Sequence, residues 1–101
     1  MNAVHGTLHP PPYAAGRMAK PIHFYCAAPA AKSVSLVGDF NHWHPAPMHR
    51  HMDGEWFLEV WLTHGHHLYQ FLVDGRPILD PNASGTARSE RNELASLLAV
   101  S

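Results

Sequence analysis

The chain has 101 residues, with seven basic and eight acidic side chains and a net charge of -1 at pH 7, which argues against binding to nucleic acid or acidic lipid. Hydrophobic residues make up 46% and charged residues 15%, the composition of one globular domain. No apolar run approaches the roughly 20 residues needed to span a bilayer. A single cysteine, Cys26, leaves no internal disulfide. We therefore expect a soluble, cytoplasmic protein with no nucleic-acid or membrane partner.

The beginning of the chain differs in composition from the rest. Residues 1–20 contain Pro10, Pro11 and Pro12 and show no apolar periodicity, which predicts a flexible N-terminal arm. From residue 21 onward, short apolar alternations are separated by turn signals, so residues 21–101 form the predicted domain. The predicted strands are 22–27, 33–39, 55–62, 68–73 and 97–100. Strands this short and this regularly spaced predict an all-β chain, an immunoglobulin-like β-sandwich of about seven short antiparallel strands.

The segments 55–62 and 68–73 are expected to pair as a hairpin with its turn at His64-Gly65. Side chains of a strand alternate between its faces, so one face of the hairpin is assigned to the core: Trp56, Leu58, Val60, Leu62, Tyr69, Phe71 and Val73. The other face is also unusually apolar: Phe57, Trp61, Leu68 and Leu72. Cover by the arm or another strand, a homodimer interface, and a ligand surface beside Gln70 all remain open as explanations for this second face.

Four segments, in this order, carry a family resemblance: VSLVGDFNHW, DGEWFLEVWL, HGHHLYQFLVDG and LDPNA. Together they resemble the glycogen-binding module of the AMP-activated protein kinase beta subunit. They are also similar to the early-set domains that precede the catalytic barrel of isoamylases and glycogen-branching enzymes, which form carbohydrate-binding module family 48. The resemblance covers about residues 22–100. It implies an early-set sandwich that binds α-glucan without cleaving it.

The resemblance implies specific sugar contacts. Trp43 matches the tryptophan that stacks on glucose, and a pyranose ring presents an apolar face suited to an exposed indole. Gln70 stands where the kinase module has a lysine that hydrogen-bonds the sugar. Pro77 replaces the second stacking tryptophan and Ala95 replaces an asparagine, so half of the aromatic platform is missing. The full set of predicted carbohydrate-binding residues is Trp43, Gln70, Asn41, His42, Arg76 and Asn92.

No catalytic residue, cofactor or metal is expected. Asp39, Asp53, Asp74 and Asp80 each adjoin Gly or Pro, which indicates turns rather than a catalytic carboxylate pair. Cys26 lies in an apolar strand and is expected to be a buried, inert thiol. The ten histidines include closely spaced pairs, but zinc requires three or four converging ligands, which spacing alone does not establish.

Two functions follow from this sequence. The first is a non-catalytic module that binds glycogen or a maltooligosaccharide through Trp43 and attaches itself or a partner to the polymer. The alternative is a protein-interaction or homodimerisation domain of the same fold that docks on a carbohydrate-active enzyme through Phe57, Trp61, Leu68 and Leu72, with sugar binding weakened or lost. Trp43 favours the first function, whereas Pro77 and Ala95 favour the second.

Overall fold

The computed structural model describes residues 7–8 and 19–101, and in this part of the chain the regular structure is almost entirely β. One short 3-10 helix, Asp39–Asn41, interrupts the strands. The strands are β1 (Thr7–Leu8), β2 (Lys20–Ala27), β3 (Val34–Gly38), β4 (Ala46–Pro47), β5 (His49–Arg50), β6 (Glu55–Leu62), β7 (Gly65–Val73), β8 (Arg76–Ile78), β9 (Gly85–Arg88) and β10 (Leu94–Val100). The predicted all-β class is confirmed.

The strands form two sheets that pack as a sandwich. The sheet we call the back sheet has the order β1-β6-β2, with β5 also paired to β6. The front sheet has the order β4-β3-β7-β10-β9, with β8 paired to β7. All strand pairs are antiparallel except β1 with β6, which is parallel.

Alternation along the strands builds the core between the two sheets. In β6 every second residue is buried, from Trp56 to Leu62, as the period of two in its sequence predicts. Phe71, Leu36 and Val34 are the largest apolar side chains that are fully buried. Phe24 of the back sheet meets Tyr69 of the front sheet edge to face, with ring centroids 4.9 Å apart, a geometry that aromatic quadrupoles favour.

The predicted pairing of 55–62 with 68–73 is wrong. β6 pairs with β2 in the back sheet, whereas β7 pairs with β3 and β10 in the front sheet. The link through Thr63 and His64 therefore crosses between sheets instead of making a hairpin turn. The core residues predicted for the two strands still face each other across the sandwich, because side-chain alternation does not depend on the strand partner.

The change of sheet also overturns the predicted single apolar face. Phe57 and Trp61 lie on the outer side of the back sheet, whereas Leu68 and Leu72 lie on the outer side of the front sheet. The four side chains cannot form one contact surface, since the sandwich separates the two pairs. The interface expected for a homodimer or a docked enzyme therefore loses its structural basis, although self-association itself stays untested.

The predicted arm, residues 1–20, lies mostly outside the described residues. Within it, Thr7 and Leu8 form β1 and add a parallel strand to the edge of the back sheet, level with Glu59 and Val60. This pairing was not anticipated from the sequence. The next strand, β2, starts at Lys20.

Candidate functional site

A tight turn after β3 presents the Trp43 indole. The amide of Gly38 donates to Oδ1 of Asn41 at 2.9 Å, and Nδ2 of Asn41 donates to the carbonyl of Leu36 at 3.2 Å. The amide of Trp43 then donates to the carbonyl of Gly38 at 2.9 Å. Asn41 thus braces the turn from inside with both ends of its amide. These hydrogen bonds give Asn41 a role in positioning Trp43, and its predicted role as a sugar ligand stays a prediction.

The backbone of this turn adopts a rare conformation. His42 and Trp43 have φ values of 57° and 60°, in the left-handed region where side chains other than Gly are uncommon. Each such residue costs of order 1–3 kcal/mol, and such strain clusters at ligand-binding sites. The backbone at the half-buried Trp43 therefore has two consecutive residues in a conformation that costs free energy.

Gly38 is required by the close packing beneath the turn. A Cβ atom at this position would lie 2.4 Å from the Phe40 ring and 2.8 Å from the carbonyl oxygen of Leu68. Asp39 secures the same turn to β7, since its Oδ2 accepts a hydrogen bond from the Leu68 amide at 3.0 Å. The Gly-Asp-Phe-Asn segment, residues 38–41, therefore forms a rigid turn that positions Trp43.

Arg91 is the neighbour of Trp43 that sequence reasoning missed. Its guanidinium carbon lies 4.9 Å from the centre of the Trp43 ring, within the range of a cation–π contact. Arg91 also pairs with Glu93, with Nη2 3.0 Å from Oε1. The loop that carries it, residues 89–93, connects β9 to β10 and contains Asn92 with a φ of 62°. The contact joins the loop after β3 to the loop before β10.

Beneath these two loops, the outer face of the front sheet carries a row of buried side chains. Val37 pairs with Gln70, and Ala95 is level with Gln70 on the other side of β7, because Ser96 pairs with Tyr69. Their exposures are 4%, 8% and 0%, although they lie on an outer face. β3 and β10 flank β7, so the row runs across three neighbouring strands between the loop that carries Trp43 and the loop that carries Arg91.

Comparison with known proteins identifies the family. The sequence matches the family described as the glycogen recognition site of AMP-activated protein kinase over residues 22–101. The chain belongs to this family. It is also 44% identical to the 1,4-alpha-glucan branching enzyme GlgB of Lactobacillus acidophilus over 55% of this chain. The match spans about 10% of that enzyme.

The family assignment settles the general role of the glycogen-recognition module. This family is a carbohydrate-binding, non-catalytic domain, so the chain is not an enzyme, as the sequence predicted. The predicted early-set sandwich and the resemblance on which it rested are confirmed.

Gln70 and Ala95 are buried in the floor of this surface. Nε2 of Gln70 donates to the carbonyl of Leu94 at 2.7 Å, which uses one of its two N–H groups. Ala95 is fully buried. Pro77 is exposed on the same outer face, paired with the half-buried Leu72. The front sheet therefore offers a mostly apolar floor with few polar groups directed outward.

The other predicted ligands lie at the edges of this surface. His42 is exposed beside Trp43, and Asn92 is exposed beside Arg91, where its carbonyl accepts a hydrogen bond from Arg88 at 3.0 Å. Arg76 is exposed at the start of β8, paired with Val73. The structure brings His42 and Asn92 into the same two loops as the Trp43–Arg91 contact. No described contact joins Arg76 to them.

A separate cleft lies away from this surface. It has a volume of about 350 Å³ and runs between β2 and the loop 82–84. The carboxylate of Asp80 sits in it, and its oxygens accept hydrogen bonds from the Tyr69 hydroxyl at 2.7 Å and the Asn82 amide at 2.9 Å. Burial, followed by this contact with Asp80, raises the pKa of Tyr69 far above its ordinary value. These groups brace the core.

The remaining carboxylates and the thiol also have structural settings. Oδ1 of Asp74 accepts hydrogen bonds from the amides of Lys32 and Ser33 at 2.9 and 3.0 Å, and Asp53 accepts one from Glu55 at 2.9 Å, as expected for turn residues. Cys26 is buried as predicted, and its burial raises the pKa of the thiol.

Among the described residues, no three His, Cys, Asp or Glu side chains converge as metal ligands. Within the same residues, no helix is long and apolar enough to cross a membrane.

Proposed function

We propose that this module binds α-glucan by stacking one glucosyl ring on the indole of Trp43. The observation that carries the proposal is the strained, well-braced turn that holds a large aromatic side chain half exposed. A core tryptophan gains nothing from a left-handed backbone, whereas a binding platform gains from being fixed before the ligand arrives. Family membership supplies the ligand class.

Arg91 limits the stacking to one side of the indole. Its guanidinium covers one face of the ring, so the sugar takes the other face. The planar guanidinium also keeps the ring from turning and carries N–H donors at the edge of the site. The proposed site thus combines one aromatic platform with polar groups from His42, Arg91 and Asn92. The Gln70 oxygen is the remaining acceptor in the floor.

Pro77 makes the proposed binding weaker than binding by two aromatic platforms. Base–aromatic stacking is worth about 1–3 kcal/mol per ring, and sugar stacking is expected to be of similar size. With a single stack, we expect the module to bind each glucan chain weakly, whether the chain is free or part of a polymer. Attachment of itself or a tethered partner to such a polymer is the proposed role.

A titration with maltoheptaose tests the proposal. The isotope-labelled protein is expected to show saturable shifts of the Trp43 indole N–H and of the Val37 and Gln70 amides. The Trp43→Ala variant, still folded, should lose the shifts at Val37 and Gln70. The absence of any shift at millimolar maltoheptaose, with intact protein, would refute the proposed site. The matched control is Met52→Ala, which changes a fully exposed side chain.

A further inference from the structure

The outer face of the back sheet carries aromatic side chains that the site at Trp43 does not use. Tyr25 and Phe57 are cross-strand partners, with ring centroids 6.5 Å apart and ring planes inclined by only 27°. Trp61 lies four residues further along β6 on the same face. Tyr25 is 47% exposed, and Phe57 and Trp61 are half-buried. We call these three residues the back strip.

Polar groups with planar edges stand between and beside these rings. His23 and Glu59 are cross-strand partners between the two ends of the strip, with Nε2 3.5 Å from Oε2. The imidazoles of His49 and His51 flank the Phe57 ring, with centroids 6.0 and 4.4 Å away. Aromatic faces combined with imidazole and carboxylate edges match the apolar faces and hydroxyl edges of a pyranose.

We propose that the back strip is a second surface for α-glucan, which binds a different chain of the same polymer. The proposal rests on the function proposed above, because that function supplies the ligand. Phe57 and Trp61 are about 13 Å apart along the strand, a span suited to a short oligosaccharide. A protein partner fits this surface less well, since the centre of a protein interface is usually depleted of charged residues, whereas His23 and Glu59 occupy the centre here.

The two surfaces lie on opposite sides of the sandwich. The shortest dimension of the molecule is 20 Å, so a short chain that lies on one sheet does not reach the other. One module with two such surfaces binds two chains at once. A branched polymer, whose chains lie side by side, is the ligand that benefits from this arrangement, because the second contact forms at high effective concentration.

The three tryptophans provide a direct test in the intact protein. Each indole N–H gives its own signal: Trp43 reports on the front surface and Trp61 on the back strip. Trp56 is a built-in reference, because its Nε1 is buried and donates to the carbonyl of Ala28 at 3.0 Å. On addition of maltoheptaose we expect saturable shifts at Trp43 and Trp61 and none at Trp56.

Variants separate the two surfaces. Trp43→Ala should leave the Trp61 shift intact, and the double variant Tyr25→Thr/Trp61→Thr should leave the Trp43 shift intact. With glycogen, the parent protein should cross-link particles and raise light scattering, and each variant should lose this increase while remaining bound. A dimer with one site per subunit would also cross-link glycogen particles. Light scattering of the free protein, without glycogen, therefore has to show a monomer.

The outcomes distinguish the two proposals. A shift at Trp43 without one at Trp61 overturns the second surface and leaves the proposed function standing. No shift at either tryptophan overturns both. A Trp61 signal that moves with protein concentration, and not with sugar, would show that a second copy of the chain covers the back strip and would also overturn this proposal.

Discussion

Replacement of Trp43 by alanine is the perturbation that tests the glucan site most directly. The change removes the stacking platform and leaves the Gly38–Asn41 hydrogen bonds of the turn in place. Since Pro77 provides no second ring, the whole stacking contribution of about 1–3 kcal/mol should disappear. At 1.4 kcal/mol per factor of ten, the dissociation constant should rise by about fivefold to 150-fold.

Two readouts separate lost binding from lost folding. Affinity is read from the Val37 and Gln70 amides during titration with maltoheptaose, and stability is read from urea unfolding. Loss of the contact with Arg91 should lower the free energy of unfolding by only about 0.5–1 kcal/mol, the usual size of an exposed cation–π contact. An unchanged dissociation constant in a folded Trp43→Ala protein would refute the stacking proposal. A loss of several kcal/mol of stability would mean instead that the indole is a core side chain.

Trp43→Gly tests whether the backbone strain belongs to the binding site. Trp43 has a φ of 60°, and only glycine adopts this conformation without cost. Relative to Trp43→Ala, the glycine variant should therefore be more stable by about 1 kcal/mol, although both should bind sugar equally poorly. If the alanine variant were the more stable of the two, the turn would not be strained by the tryptophan position.

Three further changes address the scaffold of the site. Gly38→Ala should lower the free energy of unfolding by about 1–3 kcal/mol, because the added methyl group would clash with the Phe40 ring. An unchanged urea midpoint of unfolding would contradict this. Gln70→Leu should cost about 0.5–1.5 kcal/mol, because it removes the hydrogen bond to the Leu94 carbonyl; a chemical denaturation series against the parent protein measures this. The folded protein raises the pKa of Tyr69, so the unfolded chain releases the hydroxyl proton first, near the ordinary pKa of about 10. The free energy of unfolding should therefore fall as pH rises above that value. Tyr69→Phe should abolish this part of the pH dependence.

The sequence predicted the faces of the strands better than their partners. The predicted strand 55–62 coincides with β6, and its buried face was predicted correctly. Side-chain alternation is a local property of a strand and does not depend on which strands pair with it. Thr63-His64 is as short as a hairpin turn, and nothing local distinguishes it from a crossing between sheets. Strand pairing depends on packing between distant segments, and it was there that the prediction failed. The short strands β4, β5, β8 and β9 were missed because two to four residues carry too little periodicity.

The candidate site likewise has one part that the sequence predicted and one part that depends on the fold. Gly38, Asn41 and Trp43 belong to one short segment, so a familiar motif could indicate their joint role. Arg91 lies far along the chain, in a loop whose position depends on the pairing of β9 with β10, and no spacing rule connects it to Trp43. Because Glu93 is only two residues from Arg91, the sequence alone favours an ordinary surface ion pair between them. Only the fold shows that the guanidinium covers an indole.

The position of Arg91 bears on how a one-platform module can retain useful affinity. A tryptophan free to rotate would lose side-chain entropy when it binds a sugar, whereas Trp43 is held by a braced turn on its backbone and by a guanidinium on its ring. That cost is met during folding and not during binding. Arg91→Ala should therefore weaken binding of maltoheptaose even though the proposed stacking is on the opposite face of the ring. Arg91→Lys should not restore it fully, because an ammonium group lacks the planar surface that lies on the indole. If Arg91→Ala instead strengthened binding, the guanidinium would be a competitor for the ring and the sugar would take its place.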